Sequence, residues 1–285
     1  MKISTLFLLG ALVITQIHGA SKEERLEESG WIPEVFTEVD GIELKIWHKA
    51  PPESLDDGPA PAIVFFYGGG WNSRNISQFQ NQGEHLANQG MHAFLADYRV
   101  KNDYGGTPFD CVEDAKSAMR YVRYHAERFG IDPNKIAASG GSAGGHLAAA
   151  CALLPSMNSP SDPDVSCKPD ALVLFNPVYD NSPDGFANHR VKERWREFSP
   201  MHHIDQDAPP NIVFLGTKDH LIPVETAEAW QAEMLSAGVY SELHLYPDRK
   251  HAFFNKGEDY TDTVEKMDEF LKSFGYLHSD NQSSK

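Results

Sequence analysis

Two short segments, residues 35–39 and 44–47, alternate apolar and polar positions with the two-residue period of a half-buried strand. Asp40-Gly41 lies between them. That dipeptide favours the positive φ angles of a tight turn, so the pair reads as an antiparallel hairpin. Further along, the pattern changes. Short, almost wholly apolar runs recur at 62–66, 93–96, 136–138, 171–175, 212–215 and 243–246, most of them next to Gly, Asn or Asp. Each is of strand length, and a strand without a polar side must be covered on both faces. Between the runs the apolar period lengthens to that of a helix. Val112, Ala115, Met119, Val122, Ala126 and Phe129 fall at three- and four-residue spacing and stop at Gly130. Residues 224–237 follow Pro223 and end before Gly238, and Val264, Met267, Phe270, Leu271 and Phe274 form a last stripe closed by Gly275.

Strands that alternate with helices predict an α/β fold, a mostly parallel central sheet with helices on both faces and an N-terminal antiparallel hairpin at one edge. Sites in such sheets gather at the carboxyl ends of the strands. The Gly-rich and charged segments of this sequence fall there.

Composition adds domain organisation and removes some partners. With 285 residues, no Pro/Ser-rich linker and no internal repeat, residues 21–278 are expected to form one domain. Residues 1–20 stand apart. Lys2, an uncharged apolar run over 6–17 and the small residues Gly19 and Ala20 have the pattern of a secretory signal peptide, which predicts a secreted or periplasmic protein. The run is about a dozen residues long, short of the ~20 that a spanning helix needs, so no membrane association is expected after cleavage. The polar stretch 279–285 is expected to be a disordered tail. Acidic residues outnumber basic ones 41 to 25, a net charge of −16, which disfavours nucleic acid and anionic lipid as partners. Three cysteines, Cys111, Cys151 and Cys167, cannot complete a disulfide framework. They read as small buried residues, with pairing of Cys151 and Cys167 left open. No CxxC or His/Cys spacing suggests a metal site, and neither metal nor cofactor is expected. His202 and His203 read as surface residues, and the oligomeric state is not legible.

The chemistry concentrates in four places. Ser142 lies at the centre of Gly140-Gly141-Ser142-Ala143-Gly144, between a predicted strand and an Ala-rich helix. G-x-S-x-G arises by chance in roughly one chain in ten of this length, so its strand–turn–helix setting carries the weight. A side chain at either flanking glycine would clash as the backbone reverses to lift the serine hydroxyl above the sheet. A dinucleotide loop does not fit, because Ser142 occupies the place of its second glycine. Upstream, Tyr67-Gly68-Gly69-Gly70-Trp71 directly follows the apolar run 62–66. Backbone N–H groups of Gly68, Gly69 and Gly70, with that of Ala143, can hold the oxyanion of a tetrahedral intermediate. Asp219 follows the run 212–215, and His251 follows 243–246. The order Ser, Asp, His is that of a triad in which His251 moves the serine proton and Asp219 orients the imidazole. Glu225 and Asp248 are the alternative acids.

On these residues, with Asp97-Tyr98-Arg99 and Asp114-Ala115, the chain resembles the α/β-hydrolase superfamily from about Phe36 to Phe274. Within it the sequence is similar to the acetyl xylan esterase-like and hormone-sensitive-lipase-like carbohydrate esterases. The family motif usually opens with His where Tyr67 stands here, and a Tyr hydroxyl can hold the glycine loop in its place. The resemblance implies the α/β-hydrolase fold and points to Gly68 and Gly69, ahead of Gly70, as oxyanion donors. It also implies hydrolysis of small acyl esters, in particular O-acetyl groups on a polysaccharide such as xylan. A general short-chain carboxylesterase and a formamidase- or peptidase-like amide hydrolase are the alternatives, and a non-enzymatic binding module is disfavoured because all three triad residue types are present. Residues 176–205 are long enough to form a cap over the pocket. Trp71, together with Tyr179 and Trp195 of that segment, are the candidate substrate contacts, with the rival reading that the aromatics form the cap's own core.

Overall fold

The computed structural model describes residues 20–55 and 58–278. The signal-peptide reading and the tail reading fall, except for Ala20, outside the described residues.

Among the described residues, eight strands build one sheet: β1 (Ile32–Val39), β2 (Ile42–Lys49), β3 (Ala60–Phe66), β4 (His92–Ala96), β5 (Ile131–Gly141), β6 (Ala171–Phe175), β7 (Asn211–Gly216) and β8 (Ser241–Tyr246). Their order is β1-β2-β4-β3-β5-β6-β7-β8. β1 pairs antiparallel with β2 and β2 with β4, while every pair from β4 to β8 is parallel. The expected fold class holds, hairpin included. The helices are α1 (Lys22–Glu28), α2 (Gln80–Ala87), α3 (Lys101–Tyr104), α4 (Pro108–Tyr124), α5 (Ala126–Phe129), α6 (Ala143–Leu153), α7 (Asn188–Val191), α8 (Trp195–Phe198), α9 (Val224–Ser236) and α10 (Gly257–Ser273).

Every residue of β4, β6 and β7 is buried. Successive strand side chains point to opposite faces, so both faces of the central sheet are covered. The outer strands differ. β8 is buried at its two ends but partly exposed between them, and β1 leaves Ile32 and Val35 in solvent beside Glu34 and Glu38, charges that discourage edge-to-edge pairing.

Local signals set the helix ends. Thr107 accepts from the Asp110 N–H while the Asp110 carboxylate accepts from the Thr107 N–H, and Pro108 opens α4. The helix expected over 112–129 is interrupted at His125, whose backbone (φ −97°, ψ 17°) leaves the helical region, so its last turn is the separate α5. α2 was not legible in the sequence. Its QNQGEHLA composition is mostly polar, yet it buries Gln82 and Gly83, and a Cβ on Gly83 would lie 2.6 Å from the Trp31 ring. β5 runs well beyond the expected residues 136–138, because pairing with both neighbours carries it through Gly140, opposite Phe66, and Gly141, opposite Phe175.

The segment between β6 and β7 folds as short helical turns, with Val191 and Phe198 buried beneath it. It is tied to α6 from below. His146 Nε2 bonds the Phe198 carbonyl at 2.8 Å and its ring stacks on Phe198. Burial pushes the His146 pKa down to about 3, which keeps the ring neutral. Cys111, Cys151 and Cys167 are all free, with Cys167 Sγ facing the Cys151 carbonyl at 3.6 Å.

Candidate active site

β5 ends at Gly141 and α6 begins at Ala143, so Ser142 alone makes the turn. It sits at φ 55°, ψ −120°, a strained conformation for a residue with a side chain. Glycine is required around it. A Cβ on Gly144 would come within 2.0 Å of the Phe66 carbonyl oxygen, and one on Gly140 within 2.4 Å of the Gly144 backbone. The turn is stapled to the strand beside it: the Ser142 N–H donates to the Phe175 carbonyl at 2.9 Å, and the Ser142 carbonyl accepts from Val178 at 3.2 Å. Ala143 is the first residue of α6, where an N–H has no partner within the helix and the helix dipole favours negative charge.

Asp219 follows β7 and His251 follows β8, and the two side chains meet. Nδ1 of His251 lies 2.6 Å from Oδ2 of Asp219, whose side chain has 0% exposure. Burial alone would raise the Asp219 pKa. Hydrogen bonds from His251 and from the Leu221 and Ile222 N–H groups outweigh it and hold the carboxyl below its usual range, so it stays ionised. A carboxylate at Nδ1 fixes the ring proton there and leaves Nε2 as an acceptor. The alternative acids lie elsewhere, Asp248 in an exposed pair with Lys218 at 2.6 Å and Glu225 in the first turn of α9.

Ser142 and His251 line one cleft of about 450 Å³ with Gly68, Gly69, Gly70, Ser73, Asn75, Gln78, Asn176, Phe186, Leu221 and Ala252. Asn176 and Gln78 were not singled out as site residues by sequence reasoning, whereas Phe186 is one of the aromatics of the 176–205 segment considered for substrate contact. For Asn176 the one available signal was its place directly after the apolar strand β6. A second hollow of about 290 Å³ adjoins the cleft, sharing Phe186 and Leu221, and is lined by Tyr179, Asp180, Asp184, His220 and Thr226 among others.

The glycine loop on the far side of Ser142 is shaped by side chains. Tyr67, in the place of the family histidine, donates its hydroxyl to Asp97 at 2.7 Å. Arg74 at 2.7 Å and the Tyr104 hydroxyl at 2.8 Å meet the other oxygen of the same carboxylate. Arg74 also pairs with Glu23 of α1. Burial and the adjacent carboxylate push the Tyr67 pKa far up, so the phenol remains a donor. Burial raises the Asp97 pKa too, against the pull of Arg74, Tyr67 and Tyr104. Arg99 and Asp114 form a second buried pair at 2.7 Å beneath the loop that follows β4. Gly69 needs its φ of 137°, and a Cβ there would lie 2.3 Å from the Ser73 carbonyl.

Two expectations for this region require correction. The Gly68 N–H, expected as an oxyanion donor, donates to Gln78 Oε1 at 2.5 Å. Gly69, Gly70 and Ala143 keep N–H groups with no such side-chain partner among the described residues. The aromatic contacts also differ. Trp71 is fully buried against His146, Phe186 and Phe198, and Tyr179 is fully buried and stacked on Trp230 at 4.3 Å. Trp195 lies outside the cleft, under Arg196 and edge-on to His202. Trp71 is packed between α6 and the cap, and Tyr179 against α9 where it also borders the second hollow, so the main cleft is walled by Phe186 and Leu221 instead.

A serine on a strained strand-to-helix turn, at the carboxyl edge of a mostly parallel sheet and beside a histidine–carboxylate pair, defines an α/β-hydrolase site. The chain belongs to the α/β-hydrolase carboxylesterases. It matches the BD-FAE family over residues 51–173 and the dienelactone hydrolase family over residues 195–277. Esterase 2 of Thermogutta terrifontis, solved phosphoramylated by tabun, is 41% identical, with a TM-score of 0.84 over 88% of this chain and 97% of that one. The same esterase with butyrate bound superposes with a TM-score of 0.83 at 41% identity, covering 90% and 98% of the two chains. Among curated proteins, the probable carboxylic ester hydrolase LipM of Mycobacterium tuberculosis is 31% identical over 234 residues, 74% of this chain and 53% of that protein. The chain thus spans about half the length of the curated relatives it matches.

Proposed function

We propose that the protein hydrolyses short-chain carboxylic esters through an acyl-enzyme on Ser142, with His251 as general base and Asp219 as its orienting partner. The observation that carries this is the convergence of Ser142, at φ 55°, and the 2.6 Å His251–Asp219 pair on one cleft bordered by the glycine loop. His251 Nε2 takes the hydroxyl proton as Ser142 Oγ bonds to the carbonyl carbon. The N–H groups of Ala143, Gly69 and Gly70 donate hydrogen bonds to the developing oxyanion. The imidazolium then protonates the departing alcohol, and water repeats the sequence to release the acid.

The proposed natural substrate is an O-acetyl or similarly short ester of a hydroxyl-rich alcohol such as a xylan chain, met outside the cell. Three features support it: the leader-like pattern of residues 1–20, the moderate size of the cleft, and the polar hollow beside it that suits hydroxyl groups better than a lipid tail. A general short-chain carboxylesterase is the second reading, favoured by the esterase names of the relatives and by the butyrate-bound form of the Thermogutta enzyme.

Hydrolysis of p-nitrophenyl esters from acetate to octanoate separates the two. A steep preference for acetate, followed by acetate release from acetylated xylan, is expected. Rates that hold or rise with chain length assign the protein to the second reading, and absence of ester turnover refutes both.

A further inference from the structure

His251 has a partner on the side away from Asp219. The Asn176 Nδ2 lies 3.3 Å from His251 Nε2, and the Asn176 Oδ1 accepts the N–H of Ala252 at 3.0 Å. Only one orientation of the amide satisfies both contacts. Ala252 N–H is a donor, so the oxygen must face it, and the NH2 group is then left to face the imidazole. A donor at Nε2 and a carboxylate at Nδ1 select the same tautomer, with the proton on Nδ1 and the lone pair on Nε2.

The backbone around Asn176 is as constrained as its side chain. Asn176 is 1% exposed, its φ is 35°, and its N–H donates to the Phe214 carbonyl at 2.7 Å. Its neighbours Phe175 and Val178 make the two backbone bonds that staple the Ser142 turn. Ala252, the residue it captures, is also held at positive φ, 63°. Asn176 therefore joins two strained turns, one carrying the serine and one carrying the histidine. Asparagine tolerates this backbone region better than most residues with a side chain.

We infer that Asn176 is a positioning residue for His251. It holds the loop of the imidazole through Ala252, keeps Nε2 unprotonated and aimed at the cleft in the resting site, and yields that nitrogen to the Ser142 hydroxyl when substrate binds. The chemistry of the next step reinforces the exchange. Once Nε2 has taken the serine proton it is a donor, and a donor facing the Asn176 NH2 group is repelled by it. The imidazolium is thereby turned from Asn176 toward the leaving oxygen, which receives the proton. Among the described residues, the charged group that meets His251 is Asp219 at Nδ1; the residues that line the cleft with it, Ser142 included, carry no charge.

This inference rests on the acyl-transfer reading of Ser142 and His251, and the experiment includes Ser142→Ala to keep the two apart. Steady-state kinetics on p-nitrophenyl acetate are measured against pH for the full chain, Asn176→Gly and Asn176→Asp, with melting curves for each. Asn176→Gly keeps the positive φ and removes the amide. Its kcat is expected to fall by roughly tenfold to a hundredfold with KM nearly unchanged, as for loss of an interaction that matters after binding. Asn176→Asp replaces the donor with an acceptor that stabilises the imidazolium, so the acid limb of its kcat/KM profile is expected to move up by about one pH unit or more. Wild-type-like kcat in Asn176→Gly, or an unmoved acid limb in a folded Asn176→Asp, overturns the assignment. If Asn176→Asp does not fold, Asn176→Gly decides alone through its kcat and KM. Substantial turnover by Ser142→Ala overturns the underlying reading instead.

Discussion

The two loops that face each other across the cleft are held by different means. The Gly140–Gly144 turn is a backbone object: its conformation follows from glycines that let Phe66, Tyr67 and Gly144 approach within about van der Waals contact, and from backbone bonds to Phe175 and Val178. The Tyr67–Gly70 loop is held mainly by side chains from distant parts of the chain. Tyr67 reaches Asp97, Arg74 carries the network on to Glu23 of α1, Gln78 occupies the Gly68 N–H, and Arg190 of α7 reaches the Gly70 carbonyl while its guanidinium lies over the Trp71 ring. A steric lock has no graded failure, because a Cβ either fits or forces the strands apart. A polar network can lose one member while the others hold the loop in place.

Substitutions on the two sides should separate accordingly. Gly144→Ala is expected to have the largest effect. Its methyl group would meet two carbonyl oxygens of the chain leaving β3, at 2.0 and 2.4 Å, neither of which can move without displacing the glycine loop. A destabilisation of about 4–5 kcal/mol or more, with loss of activity, is expected, and denaturant unfolding measures it. Retention of both stability and rate would show that the turn relaxes more easily than the contacts imply.

Tyr67→Phe tests the other side. Asp97 would keep Arg74, Tyr104 and the Tyr98 N–H, so the loss is confined to one buried donor, its bond to Asp97 and its longer contact with the Tyr98 carbonyl, about 1–3 kcal/mol in a melting experiment. A fall in kcat on the order of tenfold corresponds to about 1.4 kcal/mol of lost positioning and would mark the tyrosine as an adequate stand-in for the family histidine. No fall at all would mean that Asp97 holds the loop without it.

Gln78→Ala should have the smallest effect. If Gly69, Gly70 and Ala143 carry the oxyanion, freeing the Gly68 N–H changes the rate by less than about tenfold, well under the 10²–10³ typical of losing an oxyanion donor. A loss of that larger size would show that Gln78 orders the donors, and a marked gain would return Gly68 to their number.

The same contrast explains what the amino-acid sequence discloses by itself. The Ser142 turn was legible because its determinants are contiguous: a run of apolar residues, glycines at fixed offsets and an Ala-rich helix. The strands were legible too, since a strand buried on both faces must be apolar throughout, although β5 was read too short where it passes through Ser139-Gly140-Gly141. The glycine loop was half legible. Its sequence invited oxyanion chemistry, but Gln78, ten residues on, takes one of its donors, and no local pattern announces that contact. The aromatics of the cap were the least legible, because a tryptophan or tyrosine has the same sequence signature on a binding wall as in a small core.

Sequence alone determined the α/β architecture, the hairpin at its edge, the strained serine turn and the order in which serine, acid and histidine follow their strands. All of these depend on hydrophobic periodicity and on residues a few positions apart. Tertiary structure decided which acid meets His251, why Tyr67 can hold the glycine loop, why Trp71 and Tyr179 are buried, and that Asn176 bridges the serine and histidine turns. Those facts depend on pairs separated by tens of residues, and only the parallel sheet, by aligning the carboxyl ends of its strands, brings them within hydrogen-bonding distance.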